Sequence, residues 1–269
     1  MGLYCIRVDR PKEWPECHLY GIGDLHLSDP HNDYKRCAMI VEQIRKDPYA
    51  VVVLNGDIMN TAVAGGKSDI YDEKANPDQT LDDAVGLFKP IAEKIIGVSP
   101  GNHELRIWQQ SGFDTTRQLA ERLGVVGKYH RDGVLIFLRF GETPNERTRR
   151  RSQWYSIYAT HGRGGGKKVG GKANRLEDML GIVDADIYIH SHTHQPMVFP
   201  LSRFRVSASN STAEQVDCLC LNTSATVDYG GYAQQFEYRP ASRQFPVAVL
   251  YPYPKLAVGM TDFHPIKST

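Results

Sequence analysis

Short runs of apolar, often β-branched residues alternate with amphipathic segments along the first hundred residues, and each run ends at polar side chains. Such runs at 19–22, 51–54 and 94–98 predict buried strands. Residues 34–46 place apolar side chains at helical spacing opposite a charged face, and Pro48 prevents continuation. This order of strand, helix and strand predicts a parallel crossover with polar groups at the strand ends.

The second half of the chain has a more antiparallel pattern. Residues 134–140 and 154–160 alternate like two strands, and the polar, arginine-rich segment between them predicts a hairpin. Further predicted elements are helices at 81–93 and 174–180 and strands at 186–189, 218–221 and 247–251. Residues 61–80 predict a long surface loop, and the last fifteen residues show little periodicity. We expect one domain, residues 1–269, with an α/β half and a more antiparallel half.

Bulk composition excludes several classes of protein. The chain has 269 residues, a formal net charge of +1 and five cysteines without Cys-x-x-Cys spacing. A nearly neutral charge gives no general indication of a nucleic-acid or membrane surface, and an odd set of cysteines is typical of a reducing compartment. No secretory signal and no run of eighteen apolar residues occurs. We therefore expect a cytoplasmic protein without a membrane partner.

Metal-binding residue types follow the predicted strands in five separate blocks. The blocks are Asp24-Leu-His26, Gly56-Asp57, Gly101-Asn102-His103-Glu104, His161 and His190-Ser-His192-Thr-His194. His, Asp and Asn offer the nitrogen and oxygen atoms that borderline divalent metals prefer, and a bridging carboxylate allows two ions in one site. In Asp-x-His and His-x-His, alternate side chains of an extended strand share a face, so both can reach one ion.

The five blocks, in this order, resemble those of the calcineurin-like metallophosphoesterase superfamily over about residues 19–194. The resemblance implies an α/β fold, a four-layer α/β/β/α sandwich, that holds two divalent metal ions. It assigns Asp24, His26 and His194 to the first ion, Asn102, His161 and His192 to the second, and Asp57 to the bridge between them. It also implies that Asn102 and His103 contact the substrate and that His103 helps to protonate the leaving group.

The implied activity is hydrolysis of a phosphoester by water activated between the two ions. Gly56-Asp57 lacks the Asp-Arg-Gly continuation of the serine/threonine protein phosphatases in this superfamily. The block is more similar to the phosphodiesterase and nuclease branches, so we expect a nucleotide or nucleic acid as substrate. Mn²⁺ is the expected metal, and Fe, Zn²⁺ and Ni²⁺ suit the same ligands. Neutral histidine ligands need hydrogen-bond acceptors, for which Glu104 is a candidate.

Two alternatives remain open: a phosphomonoesterase acting on a small metabolite or nucleotide, and a non-catalytic metal-binding protein, against which the retained His103 argues. Ser191 stands where the superfamily usually has glycine, although the metal spacing is kept. His190 is expected to be structural.

Two basic segments are candidate substrate contacts. In the glycine-rich stretch after His161, the candidates are Arg163, Lys167 and Lys168, and the alternative is a solvated loop. The arginine-rich run at 146–152 either touches a nucleic-acid backbone or is simply solvated. Arg106 and Trp108 follow the third block closely enough to border the site.

Overall fold

Two mixed sheets form the centre of the protein. The computed structural model describes residues 2–63, 70–141, 152–164 and 166–261, and these ranges contain eleven strands and six α-helices. The strands are β1 (Cys5–Arg10), β2 (Cys17–Ile22), β3 (Ala50–Asn55), β4 (Ile95–Ser99), β5 (Val134–Phe140), β6 (Gln153–Ala159), β7 (Ile187–His190), β8 (Met197–Ser207), β9 (Thr212–Asn222), β10 (Pro246–Tyr251) and β11 (Leu256–Thr261). The helices are α1 (Tyr34–Lys46), α2 (Pro77–Phe88), α3 (Asn102–Ser111), α4 (Thr115–Arg122), α5 (Val169–Asp178) and α6 (Gly231–Gln235).

Each sheet has a parallel part, in which helices connect β2 to β3, β3 to β4 and β6 to β7, whereas strand β8 connects β7 to β9. The five-stranded sheet has the order β11-β10-β2-β3-β4, in which β2, β3 and β4 are parallel. The six-stranded sheet has the order β1-β5-β6-β7-β9-β8, in which β6, β7 and β9 are parallel. Because the carboxyl ends of parallel strands meet at one edge, the segments that follow them are brought together.

Three apolar clusters separate four layers. One cluster lies between the two sheets and joins residues such as Val51 and Ile136. A second cluster packs α1, α2 and α4 on the outer face of the five-stranded sheet, and a third packs α5 on the outer face of the six-stranded sheet. Each sheet thus buries both faces, which explains why β2 and β3 are buried along their whole length and are mostly apolar. The predicted α/β/β/α sandwich is confirmed.

Helix capping accounts for where two of the three predicted helices begin, whereas α5 begins at Val169, five residues before the predicted start, without a side-chain cap. Helix α1 has the predicted bounds, and the side chain of Asp33 caps it by accepting a hydrogen bond from the backbone N–H of Arg36 at 3.0 Å. Helix α2 begins at Pro77, four residues before the predicted start, because Asn76 and Gln79 form a capping box. The predicted loop at 61–80 therefore ends before α2, and its residues 64–69 lie outside the described part of the chain.

Several elements differ from the predicted pattern. The hairpin is confirmed as antiparallel β5 and β6, whereas its arginine-rich connection lies in residues 142–151, outside the described residues. Strand β11 occupies part of the C-terminal stretch in which no element was predicted, and it pairs with β10. Strand β8, which was also missed, alternates half-buried and exposed residues and pairs with β9 at eleven positions. These edge strands bury little apolar surface, so their sequences show only a weak hydrophobic pattern from which a strand could be predicted.

Two global expectations concern membranes and cysteines. None of the helices in the described residues is long and apolar enough to cross a membrane. All five cysteines, Cys5, Cys17, Cys37, Cys218 and Cys220, lie in the described residues as free thiols. That residues 1–269 form a single domain stays a prediction.

Candidate metal centre

The seven candidate metal ligands meet at the seam between the two sheets. The segments after β2, β3 and β4 of the five-stranded sheet supply Asp24, His26, Asp57 and Asn102, and the segments after β6 and β7 of the six-stranded sheet supply His161, His192 and His194. All the polar blocks of the sequence thus meet at one place. Asp24, His26, Asp57 and His161 are buried there, whereas Asn102, His192 and His194 are partly exposed.

The backbone that presents these side chains is not an extended strand. Strands β2 and β7 end at Ile22 and His190, before the paired ligands. The ligands Asp24 and His26 then adopt left-handed backbone conformations with φ of 55° and 51°. The predicted convergence of the paired side chains is found for Asp24 and His26, although left-handed residues in a tight loop produce it. His192 and His194 do not share a ligand group.

The first group consists of Asp24, His26 and His194. Their nearest ligand atoms all lie within 4.8 Å of one another. Nε2 of His26 is 3.1 Å from Nε2 of His194, which is itself 3.5 Å from Oδ1 of Asp24. Two imidazole nitrogens and a carboxylate oxygen at this spacing can all coordinate one divalent ion.

The second group consists of Asp57, His161 and His192, whose ligand atoms also lie within 4.8 Å of one another. Oδ2 of Asp57 is 3.2 Å from Nε2 of His161 and 3.9 Å from Nε2 of His26. One carboxylate oxygen is therefore close to a histidine of each group.

Asn102 provides a test of whether these residues fit a cation. Its Oδ1 lies 3.3 Å from Nε2 of His161, 2.6 Å from Nδ1 of His192 and 3.3 Å from Oδ2 of Asp57. All four atoms carry lone pairs. A turned amide would direct its N–H groups at the other three atoms instead, but it would withdraw the oxygen from the group. A cation among them satisfies every one, so the residues fit a metal site.

Hydrogen bonds behind the ligands fix their orientation. Nδ1 of His161 donates to the carbonyl oxygen of Asn55 at 2.8 Å, which leaves Nε2 to face the site. Asp24 accepts from the backbone N–H of His192 at 3.0 Å and from the Thr223 hydroxyl at 3.2 Å. Thr223 follows β9, outside every motif, so only the tertiary contact reveals its role.

Glu104 has a different role from the one expected. Its carboxylate accepts hydrogen bonds from the backbone N–H groups of Gly101 at 2.8 Å, Asp57 at 3.0 Å and Met59 at 2.9 Å. It thus joins the segment after β3 to the start of α3. The acceptors found for His161 and His103 are backbone carbonyl groups instead, since Nδ1 of His103 donates to the carbonyl oxygen of Asn60 at 2.6 Å.

Burial keeps most of the histidines neutral. It lowers the pKa of His192 to about 4 and that of His194 to about 3, and it lowers the pKa of His26 well below its ordinary value. At neutral pH these imidazoles therefore have free lone pairs for a metal ion.

The carboxylates and His161 behave differently because they interact strongly. Burial raises the pKa of Asp24 to about 7. Burial acts in the same direction on Asp57, but the neighbouring His161 and His103 outweigh it and hold the pKa of Asp57 well below its usual range. Burial opposes the charged form of His161, yet Asp57 raises its pKa to about 10. A cation beside Asp57 would supply the positive charge that protonated His161 otherwise provides.

A cavity of about 700 Å³ opens onto the candidate ligands. Its wall includes the cationic side chains of Arg106, Lys167, Lys172 and Arg239, together with Tyr229. Of the candidate substrate contacts, Lys167 lines the cavity, whereas Arg163 is exposed and is not among the described residues that line it. Lys168 is the residue before α5.

Residues 227–241 form a wall of the cavity, and the sequence contained no motif that would have indicated this.

Two further residues that the sequence singled out lie outside the candidate ligand groups. Trp108 is 36% exposed, and the guanidinium of Arg131 lies 4.2 Å from its ring centre. His190 is buried, and its Nδ1 lies 3.0 Å from Oδ1 of Asn222, outside the ligand groups.

Comparison with known proteins gives one family and several structures. The family model described as calcineurin-like phosphoesterase matches residues 22–196. A comparison with curated proteins finds no match. The chain is similar to a predicted phosphoesterase from Streptococcus pneumoniae TIGR4, with 14% identity over 91% of this chain and 98% of that one and a TM-score of 0.34. It is also similar to zinc-complexed Vps29 from Entamoeba histolytica (11% identity, 91% and 97% covered, TM-score 0.37) and to GAP50, the anchor in the inner membrane complex of Plasmodium (9% identity, 91% and 84% covered, TM-score 0.42).

Proposed function

The chain belongs to the calcineurin-like phosphoesterase family, and from this premise we propose that it is a metal-dependent phosphodiesterase or nuclease acting on nucleotides or nucleic acid. The observation that carries the proposal is the position of Oδ2 of Asp57, between the group of Asp24, His26 and His194 and the group of His161 and His192. Asn102 joins the second group.

Two divalent ions, with Mn²⁺ as the first candidate, would fill these two groups. When bound, they would lower the pKa of a water molecule and neutralise phosphoryl charge. The chain's own contribution is to hold both groups beside the cavity, with the tautomer of His161 fixed by its hydrogen bond to the carbonyl oxygen of Asn55. Glu104 keeps the two segments that carry Asp57 and Asn102 together.

His103 is the proposed proton donor to the leaving group. Its Nδ1–H is bound by the carbonyl oxygen of Asn60, so Nε2 is the ring atom that remains for substrate. That Nε2 lies 3.9 Å from Oδ2 of Asp57, within the cavity lining. A second proton, on Nε2, would make the ring an imidazolium. Burial disfavours that form by lowering the pKa of His103, whereas an anionic phosphoester at the ligand groups would stabilise it, and the Nε2 proton could then pass to the leaving oxygen.

The cavity supports a substrate of nucleotide size. Its volume of about 700 Å³ is in the ordinary range for small-molecule sites. Tyr229 offers a π-face for a base, and Lys167, Lys172 and Arg239 offer positive charge for phosphate.

Metal-dependent hydrolysis tests the proposal. Chelator-treated protein is assayed with bis-p-nitrophenyl phosphate and with p-nitrophenyl phosphate, before and after addition of Mn²⁺, Zn²⁺ or Ni²⁺. We expect activity that requires metal and favours the diester. A strong preference for the monoester would replace the proposal with a phosphomonoesterase. Inactivity of fully metallated protein on both esters would favour a non-catalytic metal-binding protein.

The variant His103→Asn tests the proposed proton donor. We expect it to retain the wild-type metal content while turnover falls by about 10²–10⁴, the contribution of general acid catalysis. The matched control is His130→Asn, since His130 stacks on Tyr4 outside the cavity lining. Unchanged turnover in His103→Asn would remove His103 from the mechanism.

A further inference from the structure

Arg106 places a positive charge next to the candidate ligands. It lies in α3, four residues after Asn102 and three after His103, so the three side chains share one side of the helix. All three line the cavity. Arg106 belongs to none of the five sequence blocks, and the proposed reaction gives it no role.

The guanidinium of Arg106 has hydrogen-bonding capacity that the protein leaves unused. Its Nη1 is buried and has no hydrogen-bond partner in the described part of the chain. No ion pair among the described residues joins Arg106 to a carboxylate. A buried N–H group without an acceptor is unfavourable, and in native proteins such a group calls for an explanation.

The neighbouring amide of Asn102 adds a second donor at the same place. With Oδ1 directed at the other ligands, the amide nitrogen faces Nη2 of Arg106 at 3.2 Å. Two N–H donors then meet with no acceptor between them. Turning the amide would let its oxygen accept from Arg106, but it would remove that oxygen from the ligand group and would still leave Nη1 without a partner.

An anionic oxygen at this position satisfies all of these groups. We propose that Arg106, together with the amide nitrogen of Asn102, binds a non-bridging phosphoryl oxygen of the substrate. This rests on the proposed function and adds a substrate-binding residue to it. A guanidinium suits the task because its planar N–H groups match phosphate oxygens in pairs and its charge is permanent.

A purely structural role for Arg106 makes different predictions. If the guanidinium only supported Asn102, its removal would lower metal content and would affect phosphate binding only through the lost metal. If it binds the phosphoryl oxygen, metal content stays constant while affinity for phosphate falls. A probe that needs no turnover separates the two roles.

The experiment measures binding of inorganic phosphate to Mn²⁺-loaded protein by calorimetry. In Arg106→Met we expect the Kd for phosphate to rise by about 10- to 100-fold, the range for one lost charge-assisted hydrogen bond, with unchanged metal content. Arg106→Lys keeps the positive charge but loses the planar pair of N–H donors, so its Kd for phosphate should lie between those of the wild type and Arg106→Met. The control Arg117→Met removes an arginine of α4 whose side chain is 59% exposed and paired with Glu121, and we expect no change.

Kinetics with bis-p-nitrophenyl phosphate provide the second readout, in which Arg106→Met should raise KM. An unchanged Kd for phosphate in metal-loaded Arg106→Met overturns the inference, as does a loss of metal in that variant or wild-type protein that binds metal but no phosphate. A different result would contradict the proposed function and leave this inference intact. In that case the wild type would bind phosphate in an Arg106-dependent way but would hydrolyse no ester.

Discussion

At the scale of single residues, the candidate site is built from strained backbone. Five of the seven candidate ligands have φ between 49° and 65°: Asp24, His26, Asp57, His192 and His194. Such a conformation costs about 1–2 kcal/mol for a residue with a Cβ, although Asp, Asn and His tolerate it best. Hydrogen bonds between the loops offset this cost, since the N–H groups of Asp24 and His26 donate to the carbonyl oxygens of Gly56 and Asp57. Strain at these positions is typical of a functional site.

Asp57 is the residue on which both proposed ions depend. Asp57→Asn keeps the size of the side chain but removes its negative charge, so we expect the loss of one or both ions. Metal per chain, measured by elemental analysis after gel filtration, checks this. The control Asp82→Asn changes an exposed carboxylate that pairs with Arg122. Full occupancy of two ions in Asp57→Asn would contradict the bridging role.

At the scale of elements, the site requires that helix α3 begins immediately after the turn that follows β4. Gly101 fills this turn, and a Cβ there would lie 2.1 Å from Oδ1 of Asp57. The same carboxylate oxygen accepts a hydrogen bond from the backbone N–H of His103 at 2.8 Å. The glycine is therefore needed for a close approach of two segments, and its own φ of −97° is ordinary.

A pair of glycine substitutions tests this close approach. In Gly101→Ala we expect displacement of Asp57, weaker metal binding and destabilisation by about 1–3 kcal/mol, as for other overpacked sites. Gly86 in α2 is exposed, and a Cβ there would have no neighbour within 4 Å, so Gly86→Ala should stabilise the protein by about 0.5–1 kcal/mol. Urea unfolding measures both changes. Wild-type stability and metal content in Gly101→Ala would refute the steric argument.

At the scale of the whole molecule, the two proposed ions connect the sheets. Asp24 and His26 come from the five-stranded sheet, whereas their partner His194 comes from the six-stranded sheet. The second group is divided in the same way, with Asp57 on one side and His161 and His192 on the other. Metal binding therefore depends on the correct packing of the two sheets, and it should stabilise that packing in return.

Removal of metal should lower the melting temperature. A ligand that binds only the folded state at 100 times its Kd adds about 2.7 kcal/mol to the free energy of unfolding. We expect the Tm of chelator-treated protein to rise with added Mn²⁺ in a concentration-dependent way. Asp57→Asn should show a smaller rise, which separates specific binding from a general effect of the salt. An identical Tm with and without Mn²⁺ in the wild type would argue against a site formed by both sheets.

The sequence by itself determined the parts of this protein that depend on local pattern. Buried strands such as β3 and the amphipathic helix α1 follow from hydrophobic spacing, because residues close in the chain share a face or a layer. The seven candidate ligands could be named because five short blocks, in their order along the chain, resemble those of a known family, and such blocks are recognised without knowledge of their neighbours in space.

Only the tertiary structure decided how these pieces meet. The hydrogen bonds of Glu104 reach across 45 and 47 residues to Met59 and Asp57, and Thr223 contacts Asp24 across 199 residues. Two further features leave no periodic trace in the sequence: the Nη1 of Arg106, which has no hydrogen-bond partner among the described residues, and the cavity wall at 227–241. These features depend on the approach of distant segments, which packing of the two sheets brings about and which local spacing does not encode.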